Sequence, residues 1–404
     1  MIFHYLKIAF RNLCKHKTQN IISIIGLAVG LLCFCVCIYC SRFVESTDHC
    51  FANHDRIAEL NLYDGKADRY FSGSPVPLAE DLRTWSLGET EAISSVTYPR
   101  ERPYYVELSP EKTLPYELET IEIDTCYNKI FTPEMVAGHW KMASQSLNSV
   151  ILSQSMAIKI FGNAESAIGK HMTLMRRLNT SPESTPKTGG IVYTIQAVMK
   201  DIPLNNSLDF MQNIDMLTVN DSEGLLQSPK RYNMTGANTY VLLSPQTTCT
   251  DLEKQFSKRD YTYTLYGEAY TVTASSMGAR LKKQGASYLG LVTGTVGTLI
   301  LLVGLINFFH FLIGSFFNRT KEYSIMKMIG CNWKQLFCLL FTQSLIVISI
   351  SSILVLSGIE LLGNHMNFSL PGFAMTFTSE TLLIHALQYI VLLIILCVLI
   401  CLSV

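Results

Sequence analysis

The chain has 404 residues, of which 49% are hydrophobic and only 16% charged, against roughly a quarter charged in a soluble domain. Lys plus Arg and Asp plus Glu balance at 32 each, which excludes an overall field directing the chain to nucleic acid or to an acidic substrate. The composition points instead to a bilayer.

At the N-terminus, Ile2, Phe3, Leu6, Phe10 and Leu13 share one helical face and Lys7, Arg11 and Lys15 another. Residues 1–20 therefore read as an amphipathic helix on the cytoplasmic membrane surface. Residues 21–42 form the first apolar run long enough to span a bilayer, which needs about 20 such residues. The run is too long for a signal-peptide core, and no small-residue cleavage site follows it, so the sequence predicts a retained span. Gly26 and Gly30 make a Gly-x-x-x-Gly step for close helix packing. Cys33, Cys35, Cys37 and Cys40 lie inside the same run without His or acidic co-ligands, so they read as small packing residues rather than a redox or metal centre.

Residues 43–286 have ordinary polar composition with a small acidic excess, enough chain for a separate domain. Ile191 to Met199 and Tyr240 to Leu243 are rich in β-branched and aromatic residues, which predicts strands. Ser153 to Phe161 opens on a Ser and is followed by Gly162, which predicts a capped helix. Asn179 to Gly190 reads as a loop excursion. The expected fold is an α+β domain inserted between the first two of four transmembrane helices. Its three cysteines, Cys50, Cys126 and Cys249, are an odd number and define no disulfide framework. His49 and His54 read as solvated surface residues rather than metal ligands. The segment Gly162 to His171 resembles a phosphate loop only loosely: six residues separate the glycines, and His171 stands where a hydroxyl would reach Mg²⁺. The chain shows no nucleotide motif, catalytic constellation or metal site, and is expected to be neither an enzyme nor a cofactor binder.

The second span, 287–314, carries another Gly-x-x-x-Gly step at Gly290 and Gly294, with Asn307 and His310 one turn apart near its far end. Asn307 is expected to bond between helices. A cytoplasmic segment, 315–335, leads to the third span at 336–362, which holds Glu360 near its outer end. The loop at 363–379 precedes a fourth span at 380–404. Orientation follows from charge: Lys7, Arg11, Lys15 and Lys17 precede the first span, Arg319, Lys321, Lys327 and Lys334 fill the 315–335 segment, and 363–379 has neither Lys nor Arg. Both termini are thus expected in the cytoplasm and 43–286 outside.

The segment Asn318 to Gln343, NRTKEYSIMKMIGCNWKQLFCLLFTQ, resembles the signature of the FtsX/MacB-type ABC permeases, through Arg319, Lys321, Glu322, Ile325, Lys327, Gly330 and Gln335, with Asn307 also at a family position. FANHDRI at 51–57, VILSQSMAIKIFGNAESAIG at 150–169 and YTIQAVMKDIPLNNS at 193–207 resemble the outer domain of the same family. The resemblance implies a MacB-like core domain outside a bacterial inner membrane. It also implies a permease whose 319–335 segment couples to a separate ABC-type ATPase that uses ATP. Export of a hydrophobic compound, peptide or lipoprotein, or mechanotransmission, is the implied work, with a second permease protomer, membrane lipid and an extracytoplasmic protein as partners and no nucleic acid. The other reading is a membrane-anchored regulator that activates a cell-wall enzyme or senses a ligand. No ATPase domain precedes Met1, which matches the split arrangement. The end near the fourth span leaves open a half-length permease that dimerises or a truncated chain.

Overall fold

The computed structural model describes residues 7–11, 15, 17–71, 73–85, 90–109, 112–174, 190–208, 213–222, 224–227, 235–258, 262–265, 268–279, 287–317, 320–365, 367–370, 373–376 and 379–403. It divides into two units, Met1–Glu45 with Gly285–Val404, and Ser46–Gln284. The longer described helices are α1 (Lys17–Glu45), α2 (Leu78–Thr84), α3 (Tyr127–Phe131), α4 (Trp140–Gln145), α5 (Gln154–Phe161), α6 (Cys249–Lys258), α7 (Ser287–Phe317), α8 (Thr320–Met328), α9 (Trp333–His365) and α10 (Ser379–Ser403).

In the first unit, stretches of α1, α7 and α9 are long and apolar enough to cross a membrane: Asn20–Glu45, Tyr288–Gly314 and Trp333–Leu361. The helix α10 holds a shorter apolar stretch, Leu382–Ile395. The helices α1 and α7 pack antiparallel, and their glycines set the spacing. A Cβ on Gly26 would stand 3.3 Å from Asn307 Nδ2; one on Gly30, 3.2 Å from the Gly304 Cα; one on Gly297, 2.5 Å from the Cys37 Cβ. A Cβ on Gly294 would meet Ser41 Oγ at 3.2 Å, and one on Gly290 the Val44 side chain at 3.6 Å. Paired numbers fall on one side as they rise on the other, so a single antiparallel seam runs along both helices. Small residues let the two backbones touch where lipid supplies no hydrophobic drive. The helix α9 joins the pair through Ser351 Oγ, which donates to the Ile24 carbonyl at 3.1 Å, and through Gly358, which faces Leu32. Phe308, Phe311, Leu27, Leu31, Val347 and Leu382 are among the residues of their common core. Cys35 belongs to the same core and Cys37 to the seam. Cys37 and Cys40 are free thiols, as are Cys50, Cys126 and Cys249 of the other unit.

Residues 7–11 and 15 are helical, with Ala9 buried and Phe10 exposed; Ile2, Phe3, Leu6 and Leu13 lie outside the described residues. The loop expected at 363–379 contains a strand pair, Asn367–Leu370 against Phe373–Thr376.

The second unit is β-rich. Its strands are β1 (Ile57–Asp64), β2 (Arg69–Tyr70), β3 (Ser74–Pro75), β4 (Thr90–Thr97), β5 (Arg100–Ser109), β6 (Lys112–Ile123), β7 (Met135–Gly138), β8 (Ser149–Ser153), β9 (His171–Leu174), β10 (Val192–Met199), β11 (Met216–Val219), β12 (Thr235–Leu243), β13 (Thr262–Leu265) and β14 (Glu268–Ser276). The α+β expectation overstated the helical part: α2 to α6 are short elements laid against this sheet. Six strands close on themselves in the order β11, β8, β10, β9, β5, β6, because β11 also pairs in parallel with β6. All six contribute to one core, through Met216, Leu152, Ile195, Met172, Tyr104 and Leu118, with Met156 and Ile160 of α5 packed on it. An open antiparallel arm, β4, β12, β1, β14, β13, meets this ring at the pair Val96 and Ile123.

The strand β10 shows how sequence serves two cores. A register shift between Ile195 and Ala197 inserts one residue, so Tyr193, Ile195 and Val198 face the ring core while Ala197 and Met199 face the core beside the arm. One extra residue exchanges the faces of a strand whose side chains otherwise alternate. The helix α5 follows β8 directly; Ser153 Oγ accepts the Met156 N–H, and Gly162, at φ +86°, ends it.

Candidate coupling surface

The helix α8 and its junction with α9 hold the residues that the sequence singles out. Arg319 lies outside the described residues. On α8, Tyr323 is buried against the membrane-unit core, its ring 5.8 Å from that of Phe316, and Met326 packs beside it. This inward face leaves Lys321, Glu322, Ile325 and Lys327 exposed. Glu322 lies 3.8 Å from Lys15 Nζ, an exposed pair of small energetic weight.

The turn after α8 is a Schellman motif. The Cys331 N–H donates to the Met326 carbonyl at 2.9 Å and the Gly330 N–H to the Lys327 carbonyl at 3.1 Å, with Gly330 at φ +95°. A Cβ on Gly330 would meet nothing within 4 Å, so the left-handed conformation alone calls for glycine there. Two residues on, Gln335 Oε1 accepts the Asn332 N–H at 3.1 Å, half of a capping box that starts α9. Gly330 and Gln335 thus fix the angle between α8 and α9.

The turn presents apolar bulk to the surroundings: Met328 is 79% exposed, Ile329 81%, Ile325 52% and Trp333 52%. Lys321, Lys327 and Lys334 are exposed on the same segment. An apolar cluster rimmed by cations on a braced turn has the make-up of a docking knob. Trp333 was not among the residues singled out from sequence; its signal was a large aromatic at the first helical position after a polar cap.

The other sequence-marked polar residues fall elsewhere. Asn307 and His310 line a cavity of about 410 Å³ with Thr18, Ile22, Ser23 and Phe311. Glu360 is exposed on α9. The rings of His49 and His54 lie 4.5 Å apart and tilted by 36°, and His54 Nδ1 lies 3.1 Å from the Phe51 carbonyl oxygen. Among the described residues no group of three or more His, Cys, Asp or Glu is placed to hold a metal.

In the second unit, a polar cavity of about 290 Å³ lies among Glu80, Arg83, Ser95, Glu122, Asp124 and Asp221. These residues come from α2, β4, the end of β6 and the stretch after β11, a separation no local motif reveals. The chain's own donors occupy the carboxylates. Glu122, 3% exposed, accepts the N–H groups of Leu225 at 2.6 Å and Leu226 at 2.9 Å. Asp124 accepts from Ser94 Oγ at 2.7 Å, the Ser95 N–H at 2.9 Å and Arg83. Asp221 accepts the Tyr193 hydroxyl at 2.8 Å.

Burial, with Asp221 beside it, pushes the Glu122 carboxyl up to about 7 against the opposing pull of the two N–H donors and Arg102. A carboxyl raised on folding binds its proton more tightly in the folded state, so its stabilising contribution is complete below the unfolded value near 4.5. It is lost as the pH climbs to about 7. Chemical denaturation of the full chain from pH 4.5 to 7.5 should therefore show a downward slope in stability that Glu122→Gln flattens. An unchanged slope in the variant would contradict this origin.

Residues 294–404 match the family model described as FtsX-like permease C-terminal. That part of the chain is similar to an FtsX-like permease domain. Several solved structures resemble the chain, among them the following three. A crystallised domain of a protein named as a permease, from Porphyromonas gingivalis, is 20% identical over 56% of this chain and 93% of its own, with a TM-score of 0.43. The periplasmic region of MacB from Actinobacillus actinomycetemcomitans is 13% identical over 60% and 96%, at 0.38. The extracellular domain of the noncanonic ABC-type transporter YknZ from Gram-positive bacteria is 12% identical over 54% and 99%, at 0.34. At these values the likenesses carry no argument about function. No curated protein matches the chain.

Proposed function

We propose that this chain is the membrane subunit of an ABC transporter, and that the surface of Ile325, Met328, Ile329 and Trp333 with Lys321, Lys327 and Lys334 receives a separate ATPase. The observation that carries this reading is the braced, exposed apolar knob at the α8–α9 turn, inside the stretch that matches the FtsX-like family. Apolar groups this exposed on one turn gain most from burial in a partner groove, and the flanking cations steer the approach.

On this reading the chain spans a bacterial inner membrane four times, with α10 as the fourth span. The basic α8–α9 turn faces the cytoplasm and residues 43–286 face outward, following the positive-inside rule. ATP is bound and hydrolysed by the partner. A second permease protomer completes the membrane assembly, and the work done is export of a hydrophobic compound, peptide or lipoprotein, or mechanical action on an outer partner.

The test is a double variant, Lys327→Glu with Gly330→Pro, reconstituted in lipid with an ABC-type ATPase that copurifies with the wild-type chain. Pro cannot adopt the positive φ of Gly330 and so redirects the turn. Membrane insertion should be unchanged and stimulation of the ATPase should fall at least tenfold. Stimulation at the wild-type level would overturn the assignment of this surface.

A further inference from the structure

The chain passes between its two units twice, and the residues just inside both crossings meet at one point. The helix α1 ends at Glu45, and three residues on, Asp48 is buried at 4% exposure with φ +69°. Asp tolerates this left-handed conformation better than most side chains. The Asp48 N–H donates to the Asn205 carbonyl at 2.9 Å. Its carboxylate accepts the Ser207 N–H at 2.6 Å and, through the other oxygen, the Ser207 hydroxyl. Asn205 Nδ2 returns two bonds to Ser46, at 3.0 Å to the carbonyl and 2.9 Å to Oγ.

The second crossing reaches the same carboxylate. The strand β14 ends at Ser276, and Gly278, at φ +74°, passes so close that a Cβ there would stand 2.7 Å from Asp48 Oδ2 and 3.5 Å from Ser207 Oγ. The preceding Met277 N–H donates to the Ile57 carbonyl at 2.9 Å. Ser207 itself lies on the connection between β10 and β11, two strands of the closed ring. The outgoing chain from α1 has little slack, because the Phe51 N–H bonds the Asp48 carbonyl at 3.0 Å and the His54 N–H the Phe51 carbonyl at 3.1 Å, leading straight to β1.

We infer that Asp48 is a positioning residue that fastens the crossing from α1 to the β10–β11 connection, so that movement of α1 is delivered to the ring rather than absorbed in the linker. This rests on the coupling function proposed above and adds the place where motion enters the outer unit. Charged hydrogen bonds donated by a backbone N–H and a hydroxyl to one buried carboxylate suit the task, being short and directional.

The test compares hydrogen exchange of the full chain with its ATPase in lipid discs, with ATP and with ADP, for wild type, Asp48→Ala and Ser207→Ala. Wild type should show a nucleotide-dependent change in exchange within 149–199, the part of the ring built from β8, β9 and β10. In Asp48→Ala the ATPase should still copurify and the nucleotide-independent protection of β8 and β10 should persist, while that change falls at least threefold. Ser207→Ala, which removes the hydroxyl bond and keeps the backbone one, should show a smaller loss and keeps the test valid if Asp48→Ala does not fold. A full nucleotide response in either folded variant that matches wild type overturns the role of the clamp. If wild type itself binds no ATPase or shows no response, the coupling function falls, and the clamp with it.

Discussion

Gly304→Leu is expected to separate α1 from α7 and to lower the stability of the membrane unit by about 3 kcal/mol or more, at the upper end of what overpacking costs. A Cβ on Gly304 would already touch the Gly30 Cα at 3.6 Å and the Gly26 carbonyl oxygen at 3.7 Å, so the three further carbons of a leucine press on the α1 backbone. The pair must part, and the contacts at Gly297 with Cys37 and Gly294 with Ser41 open with it. Thermal unfolding of the purified chain in detergent should show the loss. Leu299→Ala, on a side chain 56% exposed, should cost little by the same assay. Equal effects of the two substitutions would show that backbone approach is not what holds this helix pair together.

Gly224→Ala is expected to be nearly as costly, for a reason specific to Glu122. A Cβ at Gly224 would overlap the Glu122 carboxylate and drive it from the Leu225 and Leu226 N–H groups it serves. Two buried donors lose their acceptor and a buried charge loses its donors, a penalty on the order of 3 kcal/mol. Truncating the carboxylate first removes the clash, so Gly224→Ala introduced into Glu122→Ala should cost less than a third of what it costs in wild type. Denaturant melts of the four proteins give the coupling. Additive effects would contradict the clash.

Much of the membrane unit was legible because its signals are local. An apolar run of bilayer length is contiguous in sequence, and the helices α1, α7 and α9 cover the runs at 21–42, 287–314 and 336–362. The glycine steps at Gly26, Gly30, Gly290 and Gly294 were visible as spacing. Their partners were not, since Gly297 and Gly304 become informative only once the antiparallel register sets them against Cys37 and Gly30. The capped helix after Ser153 was readable from Ser and Gly alone.

The outer unit was harder for the opposite reason. Closure of the ring depends on β11 pairing with β6 nearly a hundred residues away, and on a one-residue bulge in β10 that no periodicity reveals. Glu122 looked like any strand glutamate until the stretch after Asp221 folded over it. In the coupling segment, sequence marked Gly330 and Gln335 through family likeness, and the structure supplies the physical reason for those two residue types: a left-handed turn and a helix cap. It also leaves Trp333 exposed at the start of α9, as Ile325, Met328 and Ile329 are around the preceding turn.

The proposed function is most directly tested by what touches that surface in the cell. A photo-crosslinking amino acid placed at Ile329, 81% exposed at the tip of the turn, should yield one dominant adduct with an ABC-type ATPase, and the same probe at Leu291 on α7 should not. Adducts at residue 329 with lipid alone, or with no ATPase among the captured proteins, would contradict a coupling role for the α8–α9 turn.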